Sequence, residues 1–214
     1  MQLRHFARAI PIAALLAFAA VPASAAMLVQ VGNHPQIDHN VVFNSCSGNT
    51  LGPAAEVQGC LNGHPTVLVR FRDAAEDLLA DGGQSRVQDA DGDGISTVTI
   101  SLVSNLAFQS LILDIEAFVD GFVTFTGVPG ITTGQLAVNS NGSNFFTITG
   151  ENFTSITVTG YNSAGDPSSA VMQHVQQVRI GGVDGVPVPE PASALLFGLG
   201  LAGLGLVARR RRAA

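Results

Sequence analysis

Across residues 95–180 apolar side chains return at every second position, the repeat of a strand with one buried face and not of a helix. Val98, Ile100 and Leu102 alternate with Thr97, Thr99 and Ser101, and Leu111, Leu113 and Ile115 alternate with Ile112, Asp114 and Glu116. Further runs occur at 121–126, 135–139, 144–149, 155–159 and 175–180, separated by Asp120-Gly121, Pro129-Gly130, Asn141-Gly142 and Ala164-Gly165-Asp166-Pro167. Glycine, proline, Asn and Asp in those places are turn formers. The spacing predicts an all-β chain folded as an antiparallel β-sandwich, of which a jelly roll is one form. Before residue 95 the pattern is weaker, with strands expected over 28–31, 41–43 and 66–71 and a short helical turn over 73–80. No repeat of fixed period is present, which argues against a solenoid.

The N-terminus predicts export. Arg4 and Arg8 precede an apolar run from Ile10 to Val21, and Ala23-Ser24-Ala25 is a small-residue cleavage site, so residues 1–25 read as a signal peptide. The segment 26–186 is long enough for one domain with its own core. All ten basic residues of the chain are arginines, and four of them face fifteen carboxylates within 26–186. So acidic a domain is expected to repel nucleic acid and other polyanions and to attract divalent cations. Cys46 and Cys60 are the only cysteines, and in an exported domain such a pair points to a disulfide before a metal site or a nucleophile.

The C-terminus has three parts. Pro187, Pro189 and Pro191, with Glu190 before the last, hold the backbone extended and without N–H donors. Residues 192–208 carry no charge and would span about 26 Å as a transmembrane helix, short of a hydrocarbon core of about 30 Å. Gly198, Gly200, Gly203 and Gly205 weaken that helix further. Arg209, Arg210, Arg211 and Arg212 then fix its end on the cytoplasmic side. These features alone fit either a single-pass anchor or a removable sorting signal.

The order Pro189-Glu190-Pro191, short glycine-rich apolar segment and arginine cluster over 187–212 resembles the PEP-CTERM sorting tail of Gram-negative bacteria. The same tail also goes under the name of an ice-binding protein C-terminal domain. The resemblance implies an exosortase as partner, a membrane-embedded cysteine transpeptidase. It also implies transient residence in the inner membrane, followed by release or transfer to the cell surface or exopolysaccharide matrix. The middle is similar to ectodomains of such proteins through Gly83-Gln84-Ser85-Arg86, the Asp93-Gly94 turn with its Thr-rich strand, and Gln177-Val178-Arg179-Ile180-Gly181-Gly182. Ser85 is an insertion in that pattern, and the aspartate run is longer.

The sharpest local motif is Asp89-Ala90-Asp91-Gly92-Asp93-Gly94, with carboxylates at the first, third and fifth positions and glycine at the sixth, as in the opening of an EF-hand calcium loop. The twelfth position is Ile100, not Glu, so a calcium site on Asp89, Asp91 and Asp93 would need oxygens from Ser96, Thr97, Asp114, Glu116 or Asp120. The competing account is a solvated hairpin turn. His34, His39 and His64 with Asp38 form no recognised metal spacing, and His174 stands alone. No nucleophile elbow or carboxylate pair stands out, which points away from an enzyme. Carbohydrate binding is disfavoured by the absence of Trp and the single Tyr161. Ice binding is disfavoured by the irregular spacing of Thr97/Thr99, Thr124/Thr126, Thr147/Thr149 and Thr157/Thr159. The expectation is therefore a non-enzymatic structural or interaction module, with a calcium-dependent carbohydrate-binding module of the exopolysaccharide matrix as the alternative.

Overall fold

A computed structural model describes residues 27–183, apart from 36–37, 82–84, 105 and 169–170. The expected signal peptide 1–25 and the tail 187–212, with its apolar segment 192–208, lie outside the described residues. Fourteen strands succeed one another among the described residues. The first seven are β1 Leu28–Val31, β2 Asp38–Val42, β3 Glu56–Leu61, β4 His64–Arg72, β5 Leu78–Asp81, β6 Arg86–Asp89 and β7 Thr97–Leu102. The rest are β8 Phe108–Ala117, β9 Gly121–Val128, β10 Ile131–Thr132, β11 Leu136–Val138, β12 Asn144–Phe153, β13 Ser155–Tyr161 and β14 Met172–Gly181. Every strand pairing is antiparallel, and no helix occurs among the described residues.

The strands join in the order β1-β12-β8-β14-β2-β3-β4-β7-β13-β9-β10, with β6 and β5 added beside β14 and β11 beside β9. β2 turns the corner of this curled sheet. Its residues 38–40 pair with β14, whereas Val41 and Val42 pair with Leu61 and Cys60 of β3. The two halves of the sheet face each other across the core, where Phe125 of β9 meets Phe146 of β12 at 5.1 Å between ring centroids. The expected two layers are thus made by one sheet curling through β2.

The period-two reading holds on β7 and β13, where Val98, Ile100, Leu102, Ile156 and Val158 are buried and the threonines between them are half-buried on the outer side. On β8 it fails, since Ile112 and Asp114 are buried along with Leu111, Leu113 and Ile115. On the outer side of β12 lies the segment that leaves β1. Thr147, fully buried beside Ile112, holds it there by donating to Gly32 O (2.9 Å) and accepting from His34 N (3.0 Å).

The expected helical turn over 73–80 does not form. Asp73 Oδ1 accepts the N–H of Ala75 at 2.9 Å, a local turn that competes with a helix. Residues 78–81 then extend as β5, with Leu78 and Ala80 facing the core. Leu78 exchanges backbone hydrogen bonds with Ala54 (2.7 and 3.1 Å). That close approach requires Gly52, which has φ +90° and where a Cβ would lie 2.1 Å from Leu78 O. Cys46 and Cys60 are joined, with Cα atoms 5.4 Å apart. The loop they close ends in β3, which pairs with β4.

Candidate functional site

The aspartate loop connects the two halves of the sheet and is not a hairpin. β6 before it pairs with β14 and β5, while β7 after it pairs with β4 and β13. Ile95 anchors the exit of the loop, buried and donating its N–H to Met172 O at 2.8 Å. Asp89 organises the entry. It is 3% exposed, and its Oδ2 accepts from Gly92 N (2.9 Å) and Asp93 N (3.1 Å). Gly92 and Gly94, at φ +89° and +104°, supply the left-handed conformations that fold the loop back over Asp89. Asp91 and Asp93 are exposed beside it, and one carboxylate oxygen of each of the three lies within 4.8 Å of the others.

The electrostatics result from that crowding. Burial works against the charge on Asp89, but hydrogen bonds with Asp91 and from the loop N–H groups of Asp93, Gly92 and Ala90 hold its carboxyl below the usual range. Asp91 is pushed up, chiefly by its hydrogen bond with Asp89. The β4–β5 connection adds a fourth carboxylate that the EF-hand-like spacing does not include. Glu76 is raised by desolvation and then by the charges of Asp93, Asp89, Asp91 and Asp73. Between Ala75–Asp77 and Asp89–Asp91 lies an open polar cleft of about 430 Å³, and Ala90 N is tied across it to Asp77 O at 2.8 Å. Oxygen-only ligands in an open cleft suit a hard cation such as calcium.

Glu76 was hidden by the helical expectation for 73–80, although Asp73, Glu76 and Asp77 already marked an acidic turn. Most of the oxygens expected to complete the loop are engaged elsewhere. Asp114 accepts from Gln176 (3.2 Å), Asp120 accepts from Ser140 N and Oγ (2.8 and 2.9 Å), and Ser96 O accepts from Gly160 N (2.9 Å). Ile100 is in the core and Thr97 stands on the outer face of β7.

Among the described histidines, His39 and His64 meet, edge to face at 4.8 Å. His34 Nε2 lies 3.2 Å from Val31 O, and Asp38 accepts from Ser110 Oγ at 2.5 Å. Among the described residues, the three aspartates are the one group of His, Cys, Asp and Glu able to share an ion. His174 is not a surface residue. It is 5% exposed, bonded to Arg86 and opposite Glu116 in the ladder. Burial and then the Arg86 charge hold its imidazole below the usual range, against an opposing pull from Glu116.

The sheet also aligns threonines that look irregular in sequence. Thr99, Thr157 and Thr126 stand in one row across β7, β13 and β9, and Thr97, Thr159 and Thr124 in the next. Thr99 and Thr157 share a hydrogen bond of 2.9 Å, and Thr126 and Thr132 one of 3.0 Å. Thr147 and Thr149 belong to the other half, and Thr147 is covered by the segment that leaves β1.

An all-β antiparallel domain with an acidic loop at the junction of its sheet halves, followed in sequence by a proline-marked apolar stretch and four arginines, defines a β-module with a C-terminal handle. The handle is identified by family: residues 187–212 match the PEP-CTERM protein-sorting motif, which carries the Pro189, Glu190, Pro191 signature and ends on Arg209, Arg210, Arg211 and Arg212. That motif implies sorting to the cell surface with exosortase processing. No curated protein matches the chain. Among solved structures, CBM29_1, a family 29 carbohydrate binding module from Piromyces equi, is similar at 15% identity over 72% of this chain and 89% of that module. The TM-score is 0.28, a likeness too slight to bear on the fold or the ligand here.

Proposed function

We propose that this chain is an exported, non-enzymatic structural or interaction module of the cell surface or extracellular matrix. The signal peptide 1–25 delivers it, the segment 192–208 holds the precursor in the inner membrane, and an exosortase acts at Pro189-Glu190-Pro191. The domain of residues 26–186 is the cargo. The observation that carries this reading is the PEP-CTERM match at 187–212, directly after an all-β domain. Replacing Pro189, Glu190 and Pro191 by alanine is expected to leave a full-length, membrane-bound form. A variant that still matures and leaves the membrane as the unaltered chain does sinks the sorting claim.

A second reading is favoured by the acidic cleft: a calcium-dependent carbohydrate-binding module in which Asp89, Asp91 and Asp93, joined by Glu76, hold the cation. Like charges this close repel one another, and a divalent ion would relieve that repulsion. Calorimetric titration of the full-length protein with calcium tests it. No heat and no rise in melting temperature at millimolar calcium would remove this reading and leave the first intact.

A further inference from the structure

The outer face of β4, β7, β13 and β9 contrasts with the rest of this acidic domain. Two of the four arginines of residues 26–186, Arg70 and Arg72, stand on it at alternate positions of β4, while Arg86 and Arg179 belong to the other half of the sheet. The four strands themselves carry no carboxylate, and Glu56 on the neighbouring β3, opposite Arg72 in the ladder, pairs with Arg70, Nε to Oε1 at 2.9 Å. Arg72 is exposed and makes no ion pair among the described residues. Beyond the arginines the face is hydroxyl-bearing, and at its far corner Tyr161 and Phe122 are directly paired and half-buried on the same side.

We propose that this face binds an extended acidic polysaccharide, without calcium. The hydroxyl rows repeat at about 4.8 Å across strands and about 6.8 Å along them. A Thr99–Thr157 pair joined by one hydrogen bond still has a donor and lone pairs for a ligand. A sugar chain lying across the strands meets donors and acceptors in series, with the Tyr161–Phe122 pair as an apolar platform for a ring face. Its carboxylates meet the arginines, which grip such groups through paired N–H donors. Charge complementarity selects an anionic strand over a neutral one, because this face is net positive within a domain of fifteen carboxylates and four arginines. Two arginines are too few for a nucleic acid, whose binding depends on neutralising many phosphates. The proposal rests on the reading of the chain as an exported interaction module, but it uses a surface separate from the aspartate loop.

The test is retention of the full-length chain on immobilised polygalacturonate, with neutral dextran as control, run in chelator and in parallel in millimolar calcium. All forms carry Arg209, Arg210, Arg211 and Arg212 replaced by glutamine, so that the tail contributes no attraction of its own. Expected are retention on polygalacturonate but not dextran, and at least about tenfold weaker binding for Arg72→Glu. Glu56→Gln, which frees Arg70, should bind more tightly, and Glu151→Gln, exposed on β12 in the other half of the sheet, should be unchanged. Retention that needs calcium and ignores Arg72 overturns the proposal in favour of the aspartate loop. Absence of retention overturns it too and leaves the sorting assay, read by localisation, untouched.

Discussion

Ser85 Oγ accepts the backbone N–H of Val178 at 2.8 Å, while the carbonyl of the same serine accepts from Gln177 N at 2.9 Å. The pair sits where β14 changes partners along one edge, from β6 at residues 174–176 to β2 at 179–181. Gln177, at φ +51°, is the bulge this change requires, and Ser85 takes up the two N–H groups that the ladder drops. The Ser85-Arg86 and Gln177-Val178-Arg179 stretches, about ninety residues apart in sequence, are two sides of one joint. Ser85 and Val178 are both buried, so Ser85→Ala strands an N–H away from water and should cost about 1–3 kcal/mol. A lower denaturant midpoint at unchanged slope checks it; an unshifted midpoint would mean that another acceptor reaches Val178.

Mild acid should destabilise the domain through His174. Its folded pKa is lowered by burial and by Arg86, so the unfolded chain takes up a proton near pH 6.5 before the folded one does. Stability is therefore full above that pH and falls as pH drops toward the folded value. Asp114 acts with the opposite sign lower down, because burial raises its pKa and the folded state binds its proton first. Melting curves from pH 8 to 5 should decline in the wild type and flatten in His174→Gln. A decline of equal slope in both would assign the effect to other groups.

From β7 onward the strands other than β10 were legible, because alternation survives wherever one face is buried and the outer side stays open, as on β7 and β13. β8 was misread on one face because Ile112 and Asp114 are buried there too, Ile112 opposite Thr147, which meets Gly32 in a contact between residues 115 apart that no local pattern announces. β5 was missed because the Asp73 turn and the Gly52–Leu78 approach override the helical spacing of 73–80. The aspartate trio was readable from its spacing, but Glu76 was not. Its place beside the loop depends on β5 pairing with β6. The threonine rows were invisible for the same reason, since register across β7, β13 and β9 belongs to the sheet.

Crowding in the acidic cleft predicts opposite effects of one substitution in two conditions. Without calcium, Asp91→Asn removes a charge beside Asp89, Asp93 and Glu76 and should raise the melting temperature slightly. If calcium binds, the same change removes a ligand and shrinks the stabilisation that calcium gives. Melting scans of both forms in chelator and in millimolar calcium separate the two effects. A variant less stable in chelator would show that Asp91 serves the loop as a hydrogen-bonding group more than as a charge.

The disulfide should matter for the cleft as well as for the fold. Cys46 and Cys60 close the segment from which Ala54 pairs with Leu78 and Leu51 O accepts from Ala80 N at 2.8 Å, so this segment fastens β5 on the side away from β6. Just before β5 stand Glu76 and Asp77, one wall of the acidic cleft. Replacing both cysteines by serine frees the unfolded chain of a fifteen-residue loop, a loss on the order of 3 kcal/mol in the chain-entropy account. Beyond that global loss, amide exchange at Leu78 and Ala80 should quicken more than at Val98 or Ile156, whose ladders do not involve the loop. Uniform quickening across β5, β7 and β13 would mean that the crosslink acts on the unfolded chain alone, with no local hold on the cleft.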